Sequence, residues 1–266
     1  MNNFFLNLTH YFKRVWAEIV SMTLLLIIPL GLTILNSFMG EGMTYAGYNI
    51  AATGAAPAFM LAFQFFNCAI MLGFLYEDFR GERRWRLRAA PCTLRSFLAP
   101  AIIANWIISA LFGLVLIAVT GLFFNVYWGN LFVVAAVLAL VSLMSIFVAM
   151  LLFLFIQKFN VANGMVYIIS FGLMVLSGMM FIPLGDGPIG TFLTTYGTPL
   201  SLGTNAIVNA MYDTLPGMFE LLGLRLGVDV HGIEQAYINI GILAAATLVL
   251  GIITAIAAKA KGRRAF

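Results

Sequence analysis

Charge is what this chain has least of. Of 266 residues only 14 are Lys or Arg and 10 are Asp or Glu, 9% in all, against about 25% in an ordinary soluble domain. The shortage is uneven. No charged residue lies between Glu41 and Glu77, and none between Arg95 and Lys158. Stretches that long without charge, in a chain 62% hydrophobic with a mean hydropathy of +1.02, exclude a water-soluble globule. Apolar runs reach the roughly 20 residues that cross a hydrocarbon core about 30 Å thick. They are continuous rather than alternating, so they read as helices and not as the strands of a barrel. The expected fold class is an all-α membrane protein, a single transmembrane domain over residues 1–266.

Cysteine and histidine are also nearly absent, two of each. Cys68 lies in an apolar run and Cys92 in a basic stretch, so they supply no disulfide framework. His10 and His231 fall outside the apolar segments, where neither serves as base to an intramembrane serine. No pair of aspartates sits at mid-membrane, and no His, Cys or carboxylate cluster has metal-ligand spacing; no metal site is expected. There is no Gly-x-x-x-x-Gly-Lys-Ser/Thr loop, so nucleotide binding by that route is excluded. Catalysis is not expected of this chain. Ionisable groups within the bundle, which ion-coupled carriers use, are missing too. The polar residues inside the spans are mild: Gln64, Asn67, Asn105, Ser109, Thr120, Ser142, Ser145, Ser170 and Ser177. They either line a path or pair one helix with another. The 24 Phe and 14 Met allow the same two readings, an adaptable apolar pathway or plain packing.

What is present orders itself along the chain. Residues 2–16 form an amphipathic segment. At helical spacing Phe4, Phe5, Leu8, Tyr11, Phe12, Val15 and Trp16 fall on one arc, and Asn3, Asn7, His10, Lys13 and Arg14 on the other, with Leu6 a misfit. Such a helix lies in the membrane interface with Phe5 and Phe12 inward and Lys13 and Arg14 outward; a plain extension of the first span is the alternative. The basic start resembles a signal peptide, but its apolar stretch is too long and no small-x-small site follows, so it reads as a retained span. Spans are expected at 18–38 (with Pro29 inside), 56–76, 98–123, 131–156, 161–182 and 236–258, six in all. Residues 39–55 read as a loop, 125–130 as a tight turn with interface aromatics Tyr127 and Trp128, and 157–160 as a short turn. Residues 184–235 form a long connecting region. Its part 189–212 is apolar but broken by Gly197, Pro199 and Gly203, which predicts one or two short re-entrant helices.

The charges set the orientation. Lys13, Arg14, the stretch 77–95, Lys158 and the tail with Lys259, Lys261, Arg263 and Arg264 fall on one side. Arg225 is alone among basic residues on the other, with Glu41, Asp186, Asp213, Glu220, Asp229 and Glu234. This segregation places both termini in the cytoplasm. It also accounts for the net charge of +4, so no nucleic-acid partner is expected.

The densest charge is the island Glu77–Arg95. Pro91 disfavours helix at Ala90 and marks a turn, so residues 77–97 form an elbow between two spans. Arginines interleaved with Trp85, Leu87 and Leu94 suit a protein interface, where Arg and Trp are enriched; anchoring to anionic headgroups is the alternative.

The island resembles the segment after the second span in permeases of the type-two ATP-binding cassette exporters. The matching residues are Glu77, Gly81 or Glu82, Arg86-Leu87 and Ala90-Pro91, with Arg84-Trp85 where the family often has Gly-Thr. A second likeness is Ser177-Gly178 followed by Phe181 and Pro183, then Pro199 ahead of Asn205–Ala210. Order and spacing make the resemblance extend over nearly the whole chain. It implies a permease subunit in the bacterial inner (plasma) membrane that pairs with a second, identical or related permease. Two copies of a cytoplasmic ATP-binding subunit would dock beneath, carrying ATP and Mg, and this chain would bind no cofactor itself. It implies docking through Glu77, Asp78, Arg80, Gly81, Glu82, Arg83, Arg84, Trp85, Leu87, Arg88 and Pro91, and a gate shaped by Ser177, Gly178, Pro183 and Pro199. The expected function is export of an amphipathic or hydrophobic substrate. A stand-alone carrier or channel, or a membrane assembly factor, are the competing expectations.

Overall fold

The computed structural model describes residues 2–40, 42–81, 84–85, 94–178, 187–218 and 232–265. Helix α1 (Asn2–Ala17) leads through Glu18 into α2 (Ile19–Met39). A two-residue hairpin, β1 (Thr44–Tyr45) with β2 (Tyr48–Asn49), precedes α3 (Ile50–Phe79). Then come α4 (Leu94–Phe123), α5 (Leu131–Phe155) and α6 (Phe159–Leu176). The short α7 (Pro188–Phe192) runs into a π-helical turn (Leu193–Gly197), followed by α8 (Pro199–Tyr212) and α9 (Ile233–Ala265).

Among the described residues five helices are long and apolar enough to cross a membrane: α3, Leu98–Phe123 of α4, α5, α6 and Ile233–Ala260 of α9. The chain is a multi-pass membrane protein. The remaining expected span coincides with α2, a 21-residue helix whose described apolar stretch is Leu26–Met39. Pro29 does not end it, as membrane helices tolerate proline, and the Thr33 hydroxyl donates back to the Pro29 carbonyl at 2.8 Å.

α3 is the central post. It is the most buried span, 72% against 17–44% for the others, and it packs against α2, α4, α5, α6 and α8. The core has two stacked parts. Near the hairpin end Met60, Leu61 and Phe65 of α3 meet Val137 and Leu138 of α5 and Leu200 and Ile207 of α8. Near the other end Met71, Leu72 and Leu75 meet Ile146, Ala149 and Phe153 of α5, with Tyr11 of α1.

Several boundaries differ from the sequence expectation for identifiable reasons. α3 starts at Ile50 rather than 56 because the Asn49 side chain caps it, accepting from the Ala52 amide at 2.9 Å. The Asn49 amide also donates to the Ser37 carbonyl and hydroxyl, which ties the hairpin to the end of α2. α6 ends at Leu176, short of the expected 182. Ser177 and Gly178 return their amides to Leu173 and Val175, and Gly178 adopts φ +74°, the left-handed conformation that ends helices. Where one or two short helices were expected, the chain forms α7 with its π turn, then α8. Thr198 breaks the two and caps α8 reciprocally with Ser201, with Pro199 at the first helical position.

α8 is buried against α3, α5 and α9, and Gly203 permits the close approach. A Cβ there would fall 2.7 Å from Leu61 Cδ1 and 2.9 Å from Val137 Cγ1. We expect Gly203→Val to destabilise the detergent-solubilised chain by about 1–3 kcal/mol through overpacking. Gly164→Ala, where a Cβ meets open space, should leave the melting temperature unchanged or slightly raised. Equal melting curves for both variants would refute this packing.

Candidate functional site

The charged residues gather where α1, α3 and α5 end together. Spacing of three and four puts Tyr11, Arg14 and Val15 on one side of α1, and Phe74, Glu77 and Asp78 on one side of α3. The Tyr11 hydroxyl donates to Asp78 Oδ2 at 2.8 Å. One Arg14 nitrogen donates to Asp78 Oδ1 at 2.6 Å and the other to Glu77 Oε2 at 2.7 Å. The Arg14 guanidinium lies over the Phe74 ring, 4.5 Å from its centroid. Arg14 and Asp78 are thus a buried pair, their side chains 10% and 8% exposed. This corrects the sequence expectation of an outward Arg14: the amphipathic pattern of α1 cannot register a carboxylate 64 residues away. Phe12 is half-buried, and Phe5 and Lys13 are exposed.

Arg80 turns to α5. It donates to the Phe153 carbonyl at 2.7 Å and to the Ile156 carbonyl, and the Tyr76 hydroxyl donates to that same Ile156 oxygen at 2.6 Å. These donors satisfy carbonyls that a helix C-terminus leaves without partners. The guanidinium is stacked on Tyr76 and Phe153, at 4.8 and 4.5 Å. Of the residues expected to meet a partner, Asp78 and Arg80 therefore bind the chain itself. Glu77, Gly81, Arg84 and Trp85 are exposed, Trp85 to 74%. Glu82, Arg83, Leu87, Arg88 and Pro91 lie outside the described residues.

Five of the mild polar residues of the spans face one another, while Thr120, Ser145 and Ser177 bond to backbone carbonyls. Gln64 Oε1 accepts from Ser109 at 2.6 Å and Ser142 at 3.2 Å, and its amide donates to the Ser109 carbonyl at 3.1 Å. One turn along, the Asn67 amide donates to Asn105 Oδ1 at 2.6 Å. All five are buried, forming a seam between α3, α4 and α5.

At the other end, the Ser177 hydroxyl donates to the Met174 carbonyl at 2.9 Å. Gly178 lies against Thr194 of the π turn. Asn205 of α8 donates to the Thr194 and Thr195 carbonyls at 3.2 and 3.0 Å. Ser177, Gly178 and Pro199 thus flank the π-helical turn Leu193–Gly197. Pro183 lies outside the described residues.

Sequence reasoning missed one feature, a cleft of about 510 Å³ between α2, α3 and α6, with Glu18 at one edge. One wall is aromatic. Phe66 is 5.5 Å from Phe63, 6.2 Å from Tyr167 and 5.4 Å from Phe171, centroid to centroid. Its mouth is polar, with Glu18, Glu77 and Asn163. The signal was the repeat: Phe63, Phe66, Ile70, Phe74 and Glu77 on α3, and Asn163, Tyr167 and Phe171 on α6, each share one helix face.

A family model described as "ABC-2 family transporter protein" matches residues 28–256. No curated protein matches the chain.

Proposed function

The chain belongs to the ABC-2 transporter family, a membrane permease of an ABC transporter, and from that premise we propose that it is an exporter subunit driven from its island. The family implies association with an ATP-binding subunit. In our reading that subunit is cytoplasmic, binds in two copies beneath a pair of permeases, supplies ATP and Mg, and meets the 77–97 elbow. Both termini face the same cytoplasmic side, α2 is the sixth span, and the cargo is amphipathic or hydrophobic.

One observation carries this reading. The exposed island residues Arg84 and Trp85 follow directly on Asp78 and Arg80, which clamp α1 and the end of α5. A partner that moves the island moves three helices at once, which suits a lever better than a lipid anchor.

The test is co-expression with the ATPase subunit of its own operon. Co-purification with stimulated ATP hydrolysis is the expected result. An ATPase indifferent to the chain would leave a stand-alone carrier. Reversing Arg84→Glu together with Arg88→Glu should lower the co-purified ATPase about tenfold, as expected when charges at a docking surface are reversed, with the elution profile of the permease unchanged. Undiminished co-purification would assign these arginines to headgroups.

A further inference from the structure

We propose that the cleft between α2, α3 and α6 binds a lipophilic organic cation, its charge at the Glu18–Glu77 mouth and its body against the aromatic wall. The proposal rests on the permease reading and adds to it the chemical class of the ligand. The volume of about 510 Å³ is that of a small-molecule site.

The cleft is polarised along its length. Glu77 and Phe63 are separated on α3 by a rise of about 21 Å at 1.5 Å per residue. Glu18 and Asn163 join Glu77 at one end, while Phe63, Phe66 and Phe171 line the other. Among the described residues no lysine or arginine lines the cleft. Arg14 is close, but its charge is shared between Asp78 and Glu77, to which its Nη1 and Nη2 donate. Glu18 makes no ion pair among the described residues. An anion entering this mouth meets carboxylates of its own sign. A cation meets carboxylates first and then ring faces whose quadrupoles attract positive charge.

Tetraphenylphosphonium and tetraphenylborate share a shape and differ in sign, so they isolate the effect of charge. The full chain in phosphatidylcholine nanodiscs is dialysed against each ion, with empty discs subtracted. We expect saturable phosphonium binding about tenfold tighter than borate binding, a difference of about 1.4 kcal/mol. Glu18→Gln, which removes no ion pair, should erase most of that preference. Phe66→Ala should weaken phosphonium binding while Phe171→Tyr retains it. Borate binding equal to or tighter than phosphonium overturns the proposal. So does uptake indistinguishable from empty discs, or a preference that survives Glu18→Gln combined with Glu77→Gln in a chain that still elutes as folded. The permease reading is scored separately by ATPase co-purification: an ATPase that binds while phosphonium is not preferred refutes only the ligand class, and phosphonium binding with an indifferent ATPase refutes only the permease reading.

Discussion

Replacing Arg14 with alanine is expected to destabilise the folded chain by about 3–5 kcal/mol, the usual consequence of removing one partner from a buried ion pair. Asp78 is 8% exposed and receives both Arg14 and Tyr11. Without the guanidinium its buried carboxylate loses the opposite charge that offsets it, and α1 loses its ion pair with α3. Tyr11→Phe should do less, about 1.5–3 kcal/mol, because it removes one hydrogen bond to a charged group and leaves the ion pair in place. Asp78→Ala should also be milder than Arg14→Ala, since Arg14 keeps Glu77 as a partner at 2.7 Å. The double variant Arg14→Ala with Asp78→Ala should recover stability relative to Arg14→Ala alone, a non-additivity expected of residues in contact. Unfolding in mixed micelles, followed by tryptophan fluorescence, measures all four. Wild-type stability in Arg14→Ala would show that α1 is held by its apolar face alone.

The same pair explains how much the sequence disclosed. Helix existence was legible, because continuous apolar runs bounded by charge admit few other readings in lipid. The breaks at Gly197 and Pro199 also disclosed where one short helical segment ends and the next begins. The direction of a charged side chain was not legible. Arg14, Asp78 and Arg80 sit near helix ends, where charged groups ordinarily face water; their inward turn depends on partners brought close by the packing of α1, α3 and α5. The cleft was hidden for a related reason. Phe65 and Phe66 are adjacent in sequence and chemically identical. Phe65 is 1% exposed in the core between α3, α5 and α8, while Phe66 lines the cleft. Composition cannot separate them; only the helix face, together with the positions of α2 and α6, decides which packs and which lines.

Arg80→Ala should destabilise the permease alone, with no ATPase present, by about 3 kcal/mol, from the loss of two charge-assisted hydrogen bonds worth about 1.5–3 kcal/mol each, partly offset by relaxation. The reason lies at the end of α5. The Phe153 and Ile156 carbonyls point away from their own helix, and Arg80 supplies donors to both. Removing it leaves Ile156 with the Tyr76 hydroxyl and strips the Phe153 carbonyl of a charge-assisted bond. The stacking on Tyr76 and Phe153 is lost as well. Arg80→Lys should recover only part of the stability, because an ammonium is a point donor without the planar fork that spans two carbonyls and stacks on rings. This separates two roles for one arginine. A residue that only met a partner would leave the isolated chain as stable as wild type when replaced by alanine, and lysine would serve nearly as well. A residue that caps α5 destabilises the isolated chain and distinguishes lysine from arginine. If the capping role holds, Arg80 joins the island to the fourth expected span as Asp78 joins it to α1. The loss of ATPase stimulation in Arg80→Ala should then exceed the loss of ATPase binding, because the lever would still be grasped but would no longer be fastened to the helix it moves.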